Sequence, residues 1–342
     1  MKRLFLSFCL FVLFLSAALA QTKKYAVYSV GFYNLENLFD THHDEGKNDY
    51  EYLPDGAMKW TEEKYHAKLS NMSQVISEMS TDMVPLGLSI LGVSEVENDH
   101  VLDDLVHQKA LASGNLEFVH IEGPDRRGID CAVIYNSHSF QVDTKRLVPY
   151  ATSDTAFKTR GFLVVRGKLA GEDLAVIVNH WPSRFSGSPF RESAGRQVRS
   201  VKDSLMTLNP MMKIIIMGDM NDDPDDVSMK TELAARREQK DVKSPSDLYN
   251  PWWNTLRSQG IGTLEYKGHW NLFDQIVINR NLLGDDRSTL KFLKNEVFRR
   301  DYMIQTEGDY KGYPKRTYAG GVWLNGYSDH LPTIIYLVKE AN

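Results

Sequence analysis

Cysteine is nearly absent from this chain. Only Cys9 and Cys131 occur among 342 residues, and Cys9 lies in an amino-terminal segment that we expect to be removed. The mature protein would then have no internal disulfide, so its stability must come from a packed core. Cys131 lies in an apolar run with no histidine near it in the sequence, which predicts a buried strand thiol and not a nucleophile.

Long apolar runs are equally scarce. One such run, residues 4–15, follows Lys2 and Arg3 and precedes Ala18-Leu19-Ala20. The run is too short to span a bilayer comfortably, and the small residues on either side of Leu19 match a signal-peptidase site. We therefore expect residues 1–20 to be a signal peptide that is cleaved after Ala20. The mature protein would be exported to the periplasm or the extracellular space, without a stable membrane anchor.

The sequence also lacks a linker rich in proline, glycine and serine, a polar low-complexity block and a repeat of fixed period. These absences argue against a disordered segment and against a repeat architecture. They also leave no point at which the chain would divide into two units. We expect residues 21–342 to form a single domain and to work as a monomer.

Positive charge is in deficit. The chain has 40 Lys and Arg against 45 Asp and Glu, a net charge of −5. Loss of Lys2 and Arg3 with the signal peptide would lower 40 to 38 and give a net charge of −7. This balance excludes a broad basic face of the kind that grips nucleic acid. A polyanionic substrate would have to be held by a local basic patch together with a metal ion.

Short apolar runs that end in polar loops recur along the chain. They predict strands over residues 25–33, 86–93, 117–121, 131–135, 162–169, 174–178, 214–217, 263–266, 273–278 and 333–338. Helical spacing predicts helices that begin after Thr61 and that cover residues 101–111, 192–208 and 227–240. Because the helices are too few for strict alternation with strands, we expect an α+β fold with sheets packed on each other and covered by helices.

Polar clusters follow several of these predicted strands. They occupy residues 32–40, 90–98, 176–184, 215–222, 271–276 and 327–332. Taken singly, each cluster is weak, because a carboxylate after a strand is more often a cap or a turn residue. Taken together, they are typical of one active site built on strand-end loops of a rigid scaffold.

The clusters contain the groups that a metal-assisted hydrolysis at phosphorus needs. Asn34, Glu95 and Asp329 can supply oxygen ligands to a hard divalent cation. His330 can act as a base, and a carboxylate behind it, best assigned to Asp274, would fix its tautomer. In a further pair, Asp219 and Asn221 lie two residues apart after a strand, so both can face a phosphate.

The ordered set resembles the endonuclease/exonuclease/phosphatase superfamily, and its most specific motifs are Gly218-Asp219-Met220-Asn221 and Ser328-Asp329-His330-Leu331-Pro332. The resemblance implies a four-layer α/β/β/α sandwich, with two mixed β-sheets face to face and helices outside. It also implies a Mg²⁺ ion, replaceable by Mn²⁺, with Glu95 as principal ligand and Asn34 and Asp329 nearby.

The same resemblance implies roles for the other residues. His180 would contact the scissile phosphate, and Asp219 and Asn221 would orient the water and the phosphate. Either Asp219 or His330 would take the proton of the water. We favour His330, paired with Asp274, because a histidine titrates near neutrality. The runs 34–40 and 179–184 are similar to a bacterial exported, endonuclease-like branch.

The substrate is less well defined by the sequence. Arg184 follows His180 closely, which favours a contact with phosphate, whereas at least two of Arg191, Arg196 and Arg199 fit the outer face of a solvated helix. Basic and aromatic residues alternate in residues 310–327, as in sites that hold single-stranded nucleic acid. We expect a nuclease. A phosphatase or phospholipase that acts on an inositol phosphate or a sphingomyelin-like lipid is the alternative, and a catalytically idle binding module is the weakest hypothesis.

Overall fold

Two β-sheets organise the structure, a computed structural model that describes residues 23–154 and 156–341. The expected signal peptide lies outside these residues. The strands are β1 Tyr25–Leu38, β2 Ile90–Val96, β3 Leu116–His120, β4 Asp130–Asn136, β5 Phe140–Val148, β6 Phe162–Leu169, β7 Glu172–His180, β8 Lys213–Asp219, β9 Ala235–Arg236, β10 Leu248–Tyr249, β11 Leu264–Tyr266, β12 His269–Asn271, β13 Asp274–Asn279, β14 Lys291–Val297, β15 Tyr318–Ala319, β16 Val322–Trp323 and β17 Thr333–Glu340. The helices are α1 Glu62–Glu78, α2 Asp99–Val106, α3 Ser188–Leu208 and α4 Trp252–Arg257.

Both large sheets are mixed. The first has the order β14-β17-β1-β2-β4-β3, and the second has the order β5-β6-β7-β8-β13-β10-β9. Within the first sheet β1 and β2 are parallel, and within the second β7 and β8 are parallel. Strands β11 and β12 form a separate two-stranded ladder, as do β15 and β16.

Apolar side chains fill three layers between and outside the sheets. One cluster joins the inner faces, where Phe32 of the first sheet and Met217 of the second are both fully buried. A second cluster packs α1 and α2 on the first sheet, and a third packs α3 on the second. The continuous apolar run of β8 follows from this, because Ile215 faces the other sheet while Ile216 faces α3. The predicted four-layer sandwich is confirmed.

Two edge strands escaped prediction. Strands β5 and β14 each lie at an edge of a large sheet, and much of β5 is exposed. Polar residues such as Asp143 and Lys145 interrupt any apolar alternation there, so the sequence lacks the signal of a buried strand.

The predicted helix over residues 227–240 is wrong. A short π-helical turn, Ser228–Glu232, and a 3-10 turn, Gln239–Asp241, form instead, and Met229 and Leu233 pack toward α3. Ala234 then adopts a left-handed backbone with φ of 61°, which ends the turn because such a conformation is unfavourable within a helix. The chain continues as β9. The helix predicted over residues 101–111 is shorter than expected, since α2 ends at Val106.

The parallel pairs decide where the site forms. Because β1 and β2 run in the same direction, as do β7 and β8, their carboxyl ends lie side by side. Gly218 lies at the close approach of β7 and β8, where a β-carbon would stand 2.2 Å from the carbonyl oxygen of Asn179.

Across residues 23–154 and 156–341, no helix has the length and apolar character needed to cross a membrane.

Candidate active site

Three strands of the second sheet each bring one acidic or basic side chain to the same edge. His180 ends β7 and pairs in register with Asp219, which ends β8. On the other side of β8, Asp274 begins the antiparallel strand β13 and also pairs with Asp219. All three residues are buried. The predicted residues His180, Asp219 and Asp274 are therefore adjacent because of strand register alone.

The first sheet contributes Asn34 and Glu95 through irregular backbone. The ladder between β1 and β2 shifts register after Asn34, and the ladder between β2 and β4 shifts register at Glu95. Glu95 has a left-handed backbone with φ of 61°, a conformation that costs on the order of 1–3 kcal/mol for a residue with a side chain. Such bulges redirect side chains, and here the carboxylate of Glu95 turns toward the second sheet.

Asp219 lies at the centre of the group. Its Oδ2 accepts a hydrogen bond from Asn34 Nδ2 at 3.1 Å. The same oxygen is 3.7 Å from His180 Nε2 and 3.8 Å from His330 Nε2. Burial raises the pKa of Asp219 to about 7, against the opposing effect of the His330 charge. One carboxylate thus lies between two imidazoles and an amide.

His330 and Asp274 form a buried pair. Asp274 Oδ2 is 2.7 Å from His330 Nδ1, and Asp274 is fully buried. Burial alone would lower the pKa of His330, but the carboxylates of Asp274 and Asp219 outweigh it and hold that pKa well above its usual value. The Nδ1 contact leaves His330 Nε2 directed toward Asp219.

Ser328 ties this histidine to the first sheet. Its hydroxyl donates to the carbonyl oxygen of Asn34 at 2.7 Å and accepts from the backbone N–H of His330 at 3.1 Å. The loop that carries His330 is therefore fixed to the strand that carries Asn34.

His180 is neutral. Burial lowers its pKa well below the usual value, and the positive charges of Arg160, Arg127 and His330 lower it further. Its Nε2 is 3.7 Å from both Glu95 Oε1 and Asp219 Oδ2. Its buried Nδ1 has no hydrogen-bond partner within the described part of the chain. A neutral imidazole in this place can donate one hydrogen bond to a phosphate oxygen.

The oxygen atoms near Glu95 suit a hard divalent cation. Glu95 Oε2 accepts from the backbone N–H of Asn37 at 3.0 Å, while Oε1 is 3.3 Å from Asn34 Nδ2. No basic side chain that the structure describes lies within 4 Å of Glu95 except neutral His180. A carboxylate without a permanent counter-ion, beside the carboxylate of Asp219, fits Mg²⁺ or Mn²⁺.

Asn34 is oriented differently from the expected ligand. Its Oδ1 accepts from the backbone N–H of Glu36 at 2.8 Å, so its Nδ2 is the atom that faces Glu95 and Asp219. In this orientation Asn34 positions the two carboxylates as a hydrogen-bond donor. It could offer an oxygen to a cation only after its amide turned over.

A second set of ligand atoms comes from Asp219, Asp274 and His330, which lie within 4.8 Å of one another. Their closeness has another cause, namely the short contact between Asp274 and His330. A metal ion in this position would have to displace that contact. The carboxylates near Glu95 therefore fit a metal better.

Asp329 belongs to a network of ion pairs beside the site. Arg316 donates to Asp329 Oδ2 at 2.7 Å and to Glu36 Oε1 at 3.3 Å. Lys68, which is fully buried, lies 3.9 Å from Glu36 Oε2. Burial raises the pKa of Glu36 to about 7 and lowers the pKa of Lys68 to about 8. One oxygen of Asp329 is thus held by Arg316, and the other is 3.9 Å from His330 Nε2.

Asn221 occupies the turn after β8. It has a left-handed backbone with φ of 50°, its N–H donates to Asp219 Oδ1 at 2.9 Å, and its Nδ2 donates to the carbonyl oxygen of Trp181 at 3.0 Å. It therefore lies beside both Asp219 and the segment that follows His180.

Arg184 is bound to the acidic turn that follows β8. Its guanidinium donates to Asp226 Oδ2 at 3.0 Å and to the carbonyl oxygen of Asn221 at 3.1 Å, and it stacks 4.4 Å from the ring of Phe273. Although Arg184 follows His180 closely in the sequence, its guanidinium is held by this turn and not by the groups around His180. The arginines of α3 divide as expected, because Arg196 and Arg199 are exposed or partly exposed whereas Arg191 forms a buried pair with Asp222 at 2.8 Å.

A pocket of about 370 Å³ opens over the site. Glu95, His180, Asp219, Asn221 and His330 line it, together with further residues from the loops before β4 and β6 and from the segment that follows β7. Sequence reasoning missed the basic residues of those loops, which are Arg127, Lys158 and Arg160. They lie in loops outside the polar clusters that follow the predicted strands, so no motif or periodicity marks them.

A two-sheet sandwich with carboxylates and a His–Asp pair at the strand ends is the framework of a phosphoester hydrolase. The chain belongs to the endonuclease/exonuclease/phosphatase family, whose model matches residues 29–339. The predicted enzyme class, that of the phosphoester hydrolases, is confirmed. No significantly similar protein was found among curated proteins.

Solved structures share the fold at low sequence identity. One is ANGEL2, a 2′,3′-cyclic phosphatase, with a TM-score of 0.61 and 13% identity over 93% of this chain and 98% of that chain. Another is a mannosyl-6-phosphatase of Bacteroides thetaiotaomicron VPI-5482, with a TM-score of 0.55 and 16% identity over 91% and 99% of the two chains. A third is D. rerio TDP2 complexed with single-strand DNA product, with a TM-score of 0.53 and 11% identity over 91% and 99%.

Proposed function

We propose that this protein is an exported, Mg²⁺-dependent phosphodiesterase that cleaves nucleic acid as an endonuclease. The observation that carries the proposal is the position of Asp219, whose Oδ2 has Asn34, His180 and His330 around it at 3.1–3.8 Å. One wall of the pocket above it is basic, which suits a polyanionic substrate such as nucleic acid.

Each residue of the site has a task in this proposal. Neutral His180 and the amide of Asn221 bind the scissile phosphate. His330 takes the proton of the attacking water through Nε2, and Asp274 holds the ring and stabilises its charged form. Asp219 orients the water, and Asn34 in turn orients Asp219. A divalent cation held by Glu95 and Asp329, with Asn34 if its amide turns, would stabilise the charge that develops on the phosphate oxygens.

A substrate panel tests the proposed reaction. Supercoiled plasmid DNA, RNA, sphingomyelin, inositol phosphates, bis(4-nitrophenyl) phosphate and 4-nitrophenyl phosphate would each be incubated with the enzyme in Mg²⁺, in Mn²⁺ and in chelator. We expect nicked and linear plasmid and hydrolysis of the bis-ester. Faster turnover of 4-nitrophenyl phosphate or inositol phosphate than of any diester would instead establish a phosphatase.

The export proposal rests on residues 1–20, where a short apolar run follows Lys2 and Arg3 and ends in Ala18-Leu19-Ala20. We expect protein recovered from its native cell to begin at Gln21. Amino-terminal sequencing of the soluble periplasmic or secreted fraction measures this directly. Soluble protein that still begins at Met1 would rule out the signal peptide.

A further inference from the structure

One wall of the pocket is cationic and has no part in the chemistry described above. Arg127, Lys158 and Arg160 line the pocket on this wall. Arg127 lies in the loop before β4, and the other two lie in the loop before β6. The two loops are far apart in the sequence, yet the packing of the sheets brings their basic residues to one side of the same pocket.

Arg160 is built into the wall. Its side chain is only 8% exposed, its Nη1 donates to Asp125 Oδ2 at 3.1 Å, and its Nη2 donates to the carbonyl oxygen of Trp181 at 3.0 Å. Its Nε has no partner among the described residues, and neither does the buried hydroxyl of Thr159 beside it. An unpaired buried donor is costly unless a ligand uses it.

The positive charge on this wall is only partly balanced by nearby carboxylates. Arg127 has Asp125 as its ion-pair partner in the described part of the chain, at 3.9 Å, and Asp125 is already bound to Arg160. Lys158 is exposed. Arg127 and Arg160 therefore share one carboxylate, and Lys158 has no ion-pair partner among the described residues. The positive charges of Arg127 and Arg160 also act on His180, because both help to lower its pKa.

We propose that Arg127, Lys158 and Arg160 form a subsite for a second phosphate group of the substrate, beside the phosphate that is cleaved. The scissile phosphate belongs near His180 and Asn221, whereas this wall comes from other loops and has its own unpaired donors. Guanidinium groups suit phosphate oxygens because they donate two parallel hydrogen bonds. The inference deepens the proposed function, because a nucleic acid strand supplies such a second phosphate next to every cleavable bond.

The test compares substrates that differ only in the second phosphate. The variant is the double substitution Arg127→Gln with Lys158→Gln, because both side chains are partly or fully exposed and their loss should leave the fold intact. The substrates are a thymidine hexanucleotide, the same hexanucleotide with uncharged methylphosphonates flanking one cleavable linkage, and bis(4-nitrophenyl) phosphate. The matched control is Arg237→Gln with Lys240→Gln, an equal change of charge at two exposed residues elsewhere.

We expect the double variant to lose about 30-fold in kcat/KM on the unmodified hexanucleotide, as two charged hydrogen bonds would contribute. On the methylphosphonate hexanucleotide and on the bis-ester it should stay within about threefold of the wild type. Binding in chelator supplies a readout independent of turnover. Calorimetry with thymidine 3′,5′-bisphosphate and thymidine 5′-monophosphate should show that the variant loses the preference of the wild type for the bisphosphate.

Equal losses on all three substrates, or no loss on either the unmodified hexanucleotide or inositol 1,4-bisphosphate, would overturn the subsite. Inositol 1,4-bisphosphate identifies the source of the second phosphate. If its turnover, and not that of the hexanucleotide, depends on Arg127 and Lys158, the subsite stands and its ligand is a small molecule. Failure of the wild type to cleave any diester is a separate result, which rejects the proposed function.

Discussion

Replacement of His330 by alanine is expected to lower kcat on a phosphodiester by about 10²–10⁴-fold, the usual contribution of a general base. KM should change little, because His180 and Asn221 still bind the phosphate. Asp274→Asn should also lower kcat, since the amide cannot stabilise the charged imidazole at 2.7 Å as the carboxylate does. The control is His138→Ala, a change at an exposed histidine outside the site.

The pH–rate profile makes the His330 experiment specific. A base must be deprotonated to act, so wild-type activity should rise with pH. The rise should lie at higher pH than that of an ordinary histidine, because the carboxylates of Asp274 and Asp219 hold the pKa of His330 well above its usual value despite burial. Asp329, 3.9 Å away, also faces His330 and adds to this effect. The His330→Ala profile should lack this rise.

The alternative base gives a different profile. The charge of His330 opposes the rise in the pKa of Asp219, so the loss of His330 would raise the pKa of Asp219 further. If Asp219 takes the proton, the His330→Ala enzyme keeps its acid limb and the limb moves to higher pH. That result would assign the base to Asp219.

Chelation is expected to abolish phosphodiester hydrolysis, and Mg²⁺ or Mn²⁺ should restore it. In Glu95→Gln we expect kcat to fall by about 10²–10³-fold and the half-saturating Mg²⁺ concentration to rise at least about tenfold, because a metal-bound oxygen supplies several kcal/mol at the transition state. Calorimetry with Mn²⁺ measures the loss of metal binding without reference to activity. Full turnover after exhaustive chelation would reject the metal requirement.

Glu97 supplies the matched control for Glu95. Burial raises the pKa of Glu97 to about 9, and nearby carboxylates such as Asp40 add to this effect, so this side chain carries a proton at neutral pH. Glu97→Gln therefore exchanges one neutral group for another of the same shape, and the amide oxygen can still accept from the backbone N–H of Asp40. We expect near-normal metal binding and turnover. A loss equal to that of Glu95→Gln would show that general disruption of β2, and not metal binding, causes the effect.

The sequence predicted the layers of the fold because buried strands leave a clear apolar pattern. The run around Ile215 and Ile216 is apolar on both faces, and both faces are covered in the structure. Strand β5 has no such pattern because one edge and much of its surface face water. The helix predicted over residues 227–240 was wrong for a local reason. The backbone of Ala234 is left-handed, and an alanine in the sequence does not indicate such a conformation.

Prediction of the candidate site depended on how each residue reaches it. His180, Asp219 and Asp274 lie at strand ends, where register alone brings them together, so their motifs sufficed. The direction of Glu95 depends on a bulge and that of Arg184 on the acidic turn near Asp226, and neither is visible in sequence spacing. The cationic wall escaped prediction because its members lie in two loops that match no motif and that only tertiary packing brings together.

The contact between Asn34 and Asp219 has a consequence for folding. It joins the two sheets across 185 positions of sequence, and His330, whose loop Ser328 fixes to β1, reaches the second sheet at Asp274 in the same way. Neither sheet alone contains a complete set of reacting groups. Contacts between residues so distant in sequence form slowly, so catalytic competence should be among the last properties regained during refolding. Turnover would then report the docking of the sheets more sensitively than circular dichroism, which records the strands whether or not they have met.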